Sequence, residues 1–336
     1  MKLFKIIIPA IAFIVIVRFG YCDTNTVTVQ VDADIPQETR DTVHTINNKL
    51  FESMKDNKPN VMMNMFVEEG RNDPRLEDNV KTSYKQLGDL AKGTAFGILH
   101  EYYIDVQGKG ASAVTLPGDG ENKFVMGVDA GKGPLFISLL ATTGNFKDLV
   151  LCFVYMKTKD GWQLYTFNSG IYKVDGKTPV QWYEQAKAMY DKGWDVPAML
   201  WMQFVQAFVR PAPFIQYERE KEMQDLFKEG AVGTAKKYRF PFKATWVKDM
   251  PVIYGLDTQF NRNKLEPVVI YVTKYPLDRG VSIQEEADTI TSKIEKVIPG
   301  ITKCSSELGY RAFPEPPLDE KKEHKYRSVF SKSEER

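Results

Sequence analysis

Leu149-Val150-Leu151-Cys152-Phe153-Val154-Tyr155-Met156-Lys157-Thr158-Lys159-Asp160-Gly161-Trp162-Gln163-Leu164-Tyr165-Thr166-Phe167-Asn168-Ser169-Gly170-Ile171-Tyr172 is the stretch on which the fold turns. Both halves are rich in aliphatic, β-branched and aromatic residues, which suit a pleated and largely buried surface. Between them, Lys159-Asp160-Gly161 supplies the positive-φ position of a hairpin turn. The reading is therefore two long antiparallel strands, with Trp162 opening the second. Asn168 and Ser169 interrupt that second strand and mark a bulge or bend.

Working outward, similar runs recur at Phe96 to Gln107, Ala111 to Leu116, Lys123 to Asp129 and Leu135 to Thr142. They are separated by Gly108-Lys109-Gly110, Pro117-Gly118-Asp119-Gly120, Gly131-Lys132-Gly133 and Thr143-Gly144-Asn145, again hairpin punctuation. Upstream of Gly93 the period is helical. Val43, Ile46, Leu50 and Met54 fall on one face, with Pro36 where a first turn tolerates it. A Met-rich helix is expected from Asn60 to Glu68, and another carries Val80, Tyr84, Leu87 and Ala91. Residues 23–34 alternate and read as a tether or a first strand. Helices followed by a strand meander define an α+β class.

That order of elements, together with the hairpin quoted above, resembles the nuclear transport factor 2-like superfamily over residues 36–178. The resemblance implies helices packed on a strongly curved antiparallel sheet, a cone with a cavity. Enzymes of that superfamily use carboxylates and histidines in the cavity as general acids or bases, and many members dimerise through the sheet, so a homodimer is among the states it implies.

Downstream, Thr178-Pro179-Val180-Gln181 carries three helix-start signals: a cap, proline at the first position and glutamine three residues on. Trp182, Ala186 and Met189 share a face of that helix, and Leu200, Trp201, Phe204 and Phe208 mark a second one after Gly193. Residues 179–232 are thus expected to form a helical connector packed on the cone, ending in a charged helix from Tyr217 to Lys228 and a loop from Gly230 to Lys237. A smaller α+β domain at 233–313 follows. Its strands are Tyr238 to Val247, Pro251 to Gln259 and Glu266 to Thr273, and its helix is Ser282 to Ile298, capped by Ser282 and Glu285. Residues 314–336, with Pro314-Glu315-Pro316-Pro317 and a run of charges, read as a disordered tail.

The N-terminus points to a compartment. Met1-Lys2-Leu3-Phe4-Lys5 precedes the apolar run Ile6 to Val17, which as a helix rises about 18 Å, short of the roughly 30 Å hydrocarbon layer. A basic start and a short apolar core are the signature of a secretory signal. Cys22 falls where a bacterial lipoprotein precursor is acylated, so 1–22 resembles a signal or lipoprotein peptide. Phe19, Gly20 and Tyr21 before it depart from the family's usual leucine and small residues. The 336-residue chain as a whole carries 45 basic and 44 acidic residues, interspersed, with no basic face of the kind nucleic acid demands. The expected location is the cell envelope, as an exported periplasmic or membrane-tethered protein.

Chemistry is thinly signposted. Gly108-Lys109-Gly110-Ala111-Ser112-Ala113 imitates a dinucleotide loop, but Pro117-Gly118 leaves no room for the helix such a loop must open. His44, His100 and His324 have no metal-ligand spacing, and Cys152 and Cys304 are expected as free thiols; neither cofactor nor metal is expected. His100 is the one catalytic candidate. Alternation places it with Ile98, Tyr102 and Ile104 on the more apolar face, inward in a cone, and turns Glu101 to the other face. Tyr102, Tyr155 and Tyr165 are candidate ligand contacts on an aromatic wall. The reading is a non-enzymatic envelope protein that binds a small ligand or another envelope protein. Its alternatives are a hydrolase or isomerase using His100 and a structural subunit of an envelope assembly.

Overall fold

The computed structural model describes residues 25–93, 95–120, 122–130, 132–144, 146–261, 263–319 and 322–332. Residues 1–22, expected to be a signal or lipoprotein peptide, lie outside the described residues, Cys22 with them. The fold is mixed α+β, with open sheets that do not close into a barrel. The chain divides into two compact units: residues through Thr178 with Phe208–Glu220, and Pro179–Ala207 with Lys221–Arg336.

In the first unit, strand β1 (Thr26–Val31) runs through a 3-10 turn (Asp32–Asp34) into helices α1 (Gln37–Lys55), α2 (Pro59–Met65), α3 (Glu68–Arg71) and α4 (Leu76–Gly93). Strands β2 (Phe96–Gln107), β3 (Gly110–Leu116), β4 (Phe124–Ala130), β5 (Leu135–Thr142), β6 (Lys147–Thr158) and β7 (Gly161–Val174) follow. The quoted hairpin is β6 and β7, paired along their whole length with register shifts at Asp148/Leu149 and Val154/Tyr155. Each shift bends the ladder locally.

The six runs expected as strands all form, but not as one meander. β2 pairs with β1 and β5, giving the order β1-β2-β5-β6-β7, while the β3–β4 hairpin leaves this sheet and joins a later strand, β8 (Ile215–Tyr217), in a sheet of its own. The helices cover one face of the large sheet. Val43, Leu50 and Met54 of α1 and Val80, Tyr84 and Leu87 of α4 pack with Phe136, Phe153, Tyr155 and Phe167 in one core. The rows of the register put Tyr102, Ile137 and Val154 on the other face, where the Tyr102 hydroxyl donates to the Pro117 carbonyl at the end of the β3–β4 hairpin.

The second unit contains α5 (Pro179–Asp191), α6 (Asp195–Gln206) and α7 (Glu220–Lys237), then β9 (Phe242–Lys243), β10 (Val252–Asn261), β11 (Lys264–Val272), α8 (Gly280–Val297), β12 (Glu307–Phe313) and β13 (Arg327–Lys332). Its sheet has the order β13-β12-β11-β10-β9, antiparallel except for β11 and β12, which α8 connects in parallel. Here several expectations change. The helical pair α5–α6 belongs to this unit: Phe204 meets Phe260 edge-on at 5.3 Å, and a Cβ on Gly300 would lie 2.3 Å from the Trp194 ring. The segment expected as a loop after Gly230 continues α7, and Gly230 packs against Met199, whose Sδ lies 2.3 Å from where a Cβ would stand. α8 begins at Gly280 with Arg279 at its cap, so Ser282 lies inside the helix rather than capping it. The tail expected to be disordered returns at Arg327–Lys332 as an edge strand on β12.

Candidate functional site

Strand β2 carries two polar clusters, one on each face. A register shift between Ile98 and His100 adjusts the strand where they sit. His100 turns toward the face opposite the helices. Its Nδ1 lies 3.1 Å from Asp32 Oδ2 and its Nε2 3.2 Å from Asp119 Oδ1, the latter without the alignment of a hydrogen bond. Asp32 comes from the turn after β1, where it holds φ +48°, and Asp119 from the β3–β4 loop. Both carboxylates are engaged further: Asp32 Oδ1 accepts the Glu101 amide at 2.7 Å, and Asp119 Oδ2 accepts the Tyr172 hydroxyl at 2.9 Å. Burial, reinforced by Asp119, raises the Tyr172 phenol well above its ordinary value, so it acts as a donor. The carboxylate partners that the local sequence of β2 did not offer His100 thus arrive from two distant segments.

The second cluster was not apparent in the sequence. Glu101, 2% exposed, faces the helices, and both its oxygens lie 2.9 and 3.0 Å from His44 Nε2 on α1. Behind this pair Asn47 donates to Ser138 Oγ at 2.9 Å and accepts the Tyr155 hydroxyl at 2.5 Å, while Ser138 lies 3.5 Å from Glu101. A buried carboxylate held by one imidazole, with a polar chain leading inward, depends on that imidazole's staying in place. Asn47 sits one turn from both Val43 and Leu50 on the buried side of α1, and half-buried His44 lies one turn before Asn47; a polar residue interleaved in an apolar stripe was the available signal.

The three candidate tyrosines do not form one wall. Tyr102 is fully buried toward the β3–β4 side, Tyr155 fully buried toward the helices, and Tyr165 half-buried, accepting a hydrogen bond from Lys132 Nζ at 3.2 Å. Desolvation raises the Tyr102 and Tyr155 phenols strongly. Cys152 is a buried free thiol raised by burial, and Cys304, half-buried, is pushed up to about 12. Neither is a thiolate nucleophile at neutral pH. Among the described residues, no three histidine, cysteine or carboxylate side chains converge as metal ligands.

With this geometry in hand, no protein family, no curated relative and no solved structure matches the chain.

Proposed function

We propose that this is a non-catalytic cell-envelope protein, exported and tethered by its N-terminal segment, whose first unit is a nuclear transport factor 2-like domain that binds a small ligand or another envelope protein. The observation that carries the non-catalytic part is the position of His100 between Asp32 and Asp119. A general base needs a ring nitrogen free to meet the substrate proton. Both nitrogens of His100 face carboxylates of the protein itself, and those carboxylates are tied to the Glu101 amide and the Tyr172 hydroxyl. Such a ring ties segments together. It joins the turn after β1, strand β2 and the β3–β4 loop, and through Tyr172 reaches β7. The superfamily resemblance draws support from helices packed on one face of a bulged antiparallel sheet.

The test is intact mass and fractionation of the full chain expressed in a bacterial host, followed by native mass spectrometry of the purified protein. The expected result is a membrane-fraction protein beginning at an acylated Cys22 that carries a small ligand or a stoichiometric partner. A soluble chain cut elsewhere removes the lipoprotein element. Multiple turnover of any substrate that survives in wild type and vanishes in His100→Ala removes the non-catalytic one.

A further inference from the structure

The chain leaves its N-terminal segment at a fixed point. Asn25, the first described residue, donates from Nδ2 to the Lys109 carbonyl at 3.2 Å and to Ser112 Oγ at 2.8 Å, and accepts the Lys109 amide at 3.0 Å. Gly108 closes the bracket: it holds φ +134°, and a Cβ there would lie 1.9 Å from Asn25 Oδ1. Three hydrogen bonds made by one side chain to the β2–β3 hairpin, two at Lys109 in the turn and one at Ser112 on β3, make this a collar rather than a loose start.

The register shows what surrounds the collar. Val29, Ile104, Leu135, Met156 and Gln163 form one row across the large sheet. Beyond that row, toward Thr26, lie the ends of all five strands: Asp105 to Gln107, Lys132 to Pro134, Lys157 and Thr158, and Gly161 and Trp162. The Lys157 amide donates to the Pro134 carbonyl at 3.0 Å, so the β4–β5 and β6–β7 turns are neighbours. This end therefore presents Lys109, Lys132, Lys157 and Lys159. Two of them lie over half-buried amphipathic rings, Lys132 at 5.2 Å from Tyr165 and Lys157 at 5.1 Å from Trp162. Glu69, Asp105, Asp129 and Asp160 occupy the same end and balance the formal charge.

We infer that this end of the first unit is its membrane-facing surface, held there by the Asn25 collar and meeting phospholipid headgroups through the lysine and aromatic tips. The inference rests on the tether proposed above. Asn25 is three residue steps from Cys22, and extended chain spans at most about 3.5 Å per step, so the chain can place an acylated cysteine no more than about 10 Å from the collar. Lysine stems and Trp or Tyr rings are the side chains that settle at a bilayer interface, apolar body inward and polar end toward the headgroups. With the local charges balanced, the tether supplies the affinity and the collar supplies the orientation.

The experiment uses the full-length chain, with Cys304→Ser as background, reconstituted in phosphatidylethanolamine and phosphatidylglycerol vesicles that carry a nickel-chelating lipid. Spin labels are placed singly at Lys109→Cys, Lys159→Cys and, at the opposite end of the sheet, Lys147→Cys. Several-fold stronger paramagnetic relaxation by the lipid nickel at 109 and 159 than at 147 is expected, with the contrast reduced in an Asn25→Ala background while the protein stays in the membrane fraction. Equal or reversed relaxation in membrane-bound protein overturns the orientation and leaves the tether standing; undiminished contrast in Asn25→Ala overturns the collar. A soluble, unacylated full-length chain overturns both readings together.

Discussion

At the scale of single residues, the most consequential groups are two buried carboxylates. Among the described residues, His44 is the ionisable side chain paired with Glu101. Removing one partner of a buried pair leaves an uncompensated charge, at a cost of about 3–5 kcal/mol. His44→Ala is accordingly expected to be strongly destabilising in urea titrations, and His44→Ala combined with Glu101→Gln to be less so than the single change. Equal losses would show that His44 contributes packing only. Glu286, on the inner face of α8, is 4% exposed, with the Thr273 and Tyr271 side chains as its polar neighbours. Desolvation raises its carboxyl above the usual range, an effect that Thr273 and Tyr271 partly offset. A carboxyl whose folded-state value is raised binds its proton more tightly folded than unfolded. Stability is therefore highest below the ordinary glutamate value and declines as pH rises from there through the raised one. Glu286→Gln, which carries no charge to bury, should gain about 1–3 kcal/mol at pH 7 and flatten the decline. A Glu286→Gln protein with the wild-type pH profile would assign the pH dependence elsewhere.

At the scale of elements, legibility followed the strength of local pattern. The β6–β7 hairpin and the four turns before it were readable because glycine turns punctuate long apolar runs. What periodicity does not carry is partner choice: nothing in the β3–β4 hairpin says that it leaves the large sheet for β8, three residues that are hydrogen-bonded to Phe124–Met126 from far along the chain. The same limit hid the site. His100 was identified as a candidate from its own strand, but Asp32 and Asp119 are 68 and 19 positions away, and only tertiary structure brings them to it. Glycines misled once, at Gly230, where a residue that usually ends a helix serves close packing against Met199. Composition misled at β13, whose charged flanks suit disorder while Val329 and Ser331 bury on the sheet. An edge strand of this kind blunts the exposed hydrogen-bonding row of its neighbour. Truncation after Lys325 bares the whole edge of β12 and uncovers Tyr310 and Leu308 beside it. The expected outcome is a lower melting temperature and concentration-dependent association by light scattering, against which a monomeric truncated chain of unchanged stability would count.

At the scale of the molecule, the chain passes between its two compact units three times, after Thr178, before Phe208 and after Glu220. Each unit is therefore built from separated stretches of sequence. The first needs Ile215–Tyr217, whose Tyr217 packs on Phe124 with ring centroids 5.1 Å apart. The second needs α5 and α6, whose Trp182, Trp201 and Phe204 form an aromatic cluster that meets Phe260 on β10. It follows that no single cut yields two complete pieces. A fragment of residues 25–178 loses β8 and leaves the β4 edge and the Phe124 face open. A fragment of residues 25–220 keeps β8 but carries α5 and α6 without β10, exposing large apolar rings. A fragment of residues 221–336 has the sheet without its helical pair. Each should bind a hydrophobic dye and show weaker amide-exchange protection in its own core than the same residues do in the intact chain. The residue 25–178 fragment is the sharpest case, because its large sheet and helical core are otherwise complete; should it melt cooperatively, with native protection on β3 and β4, β8 would be dispensable and the first unit would be contiguous in energy though not in sequence.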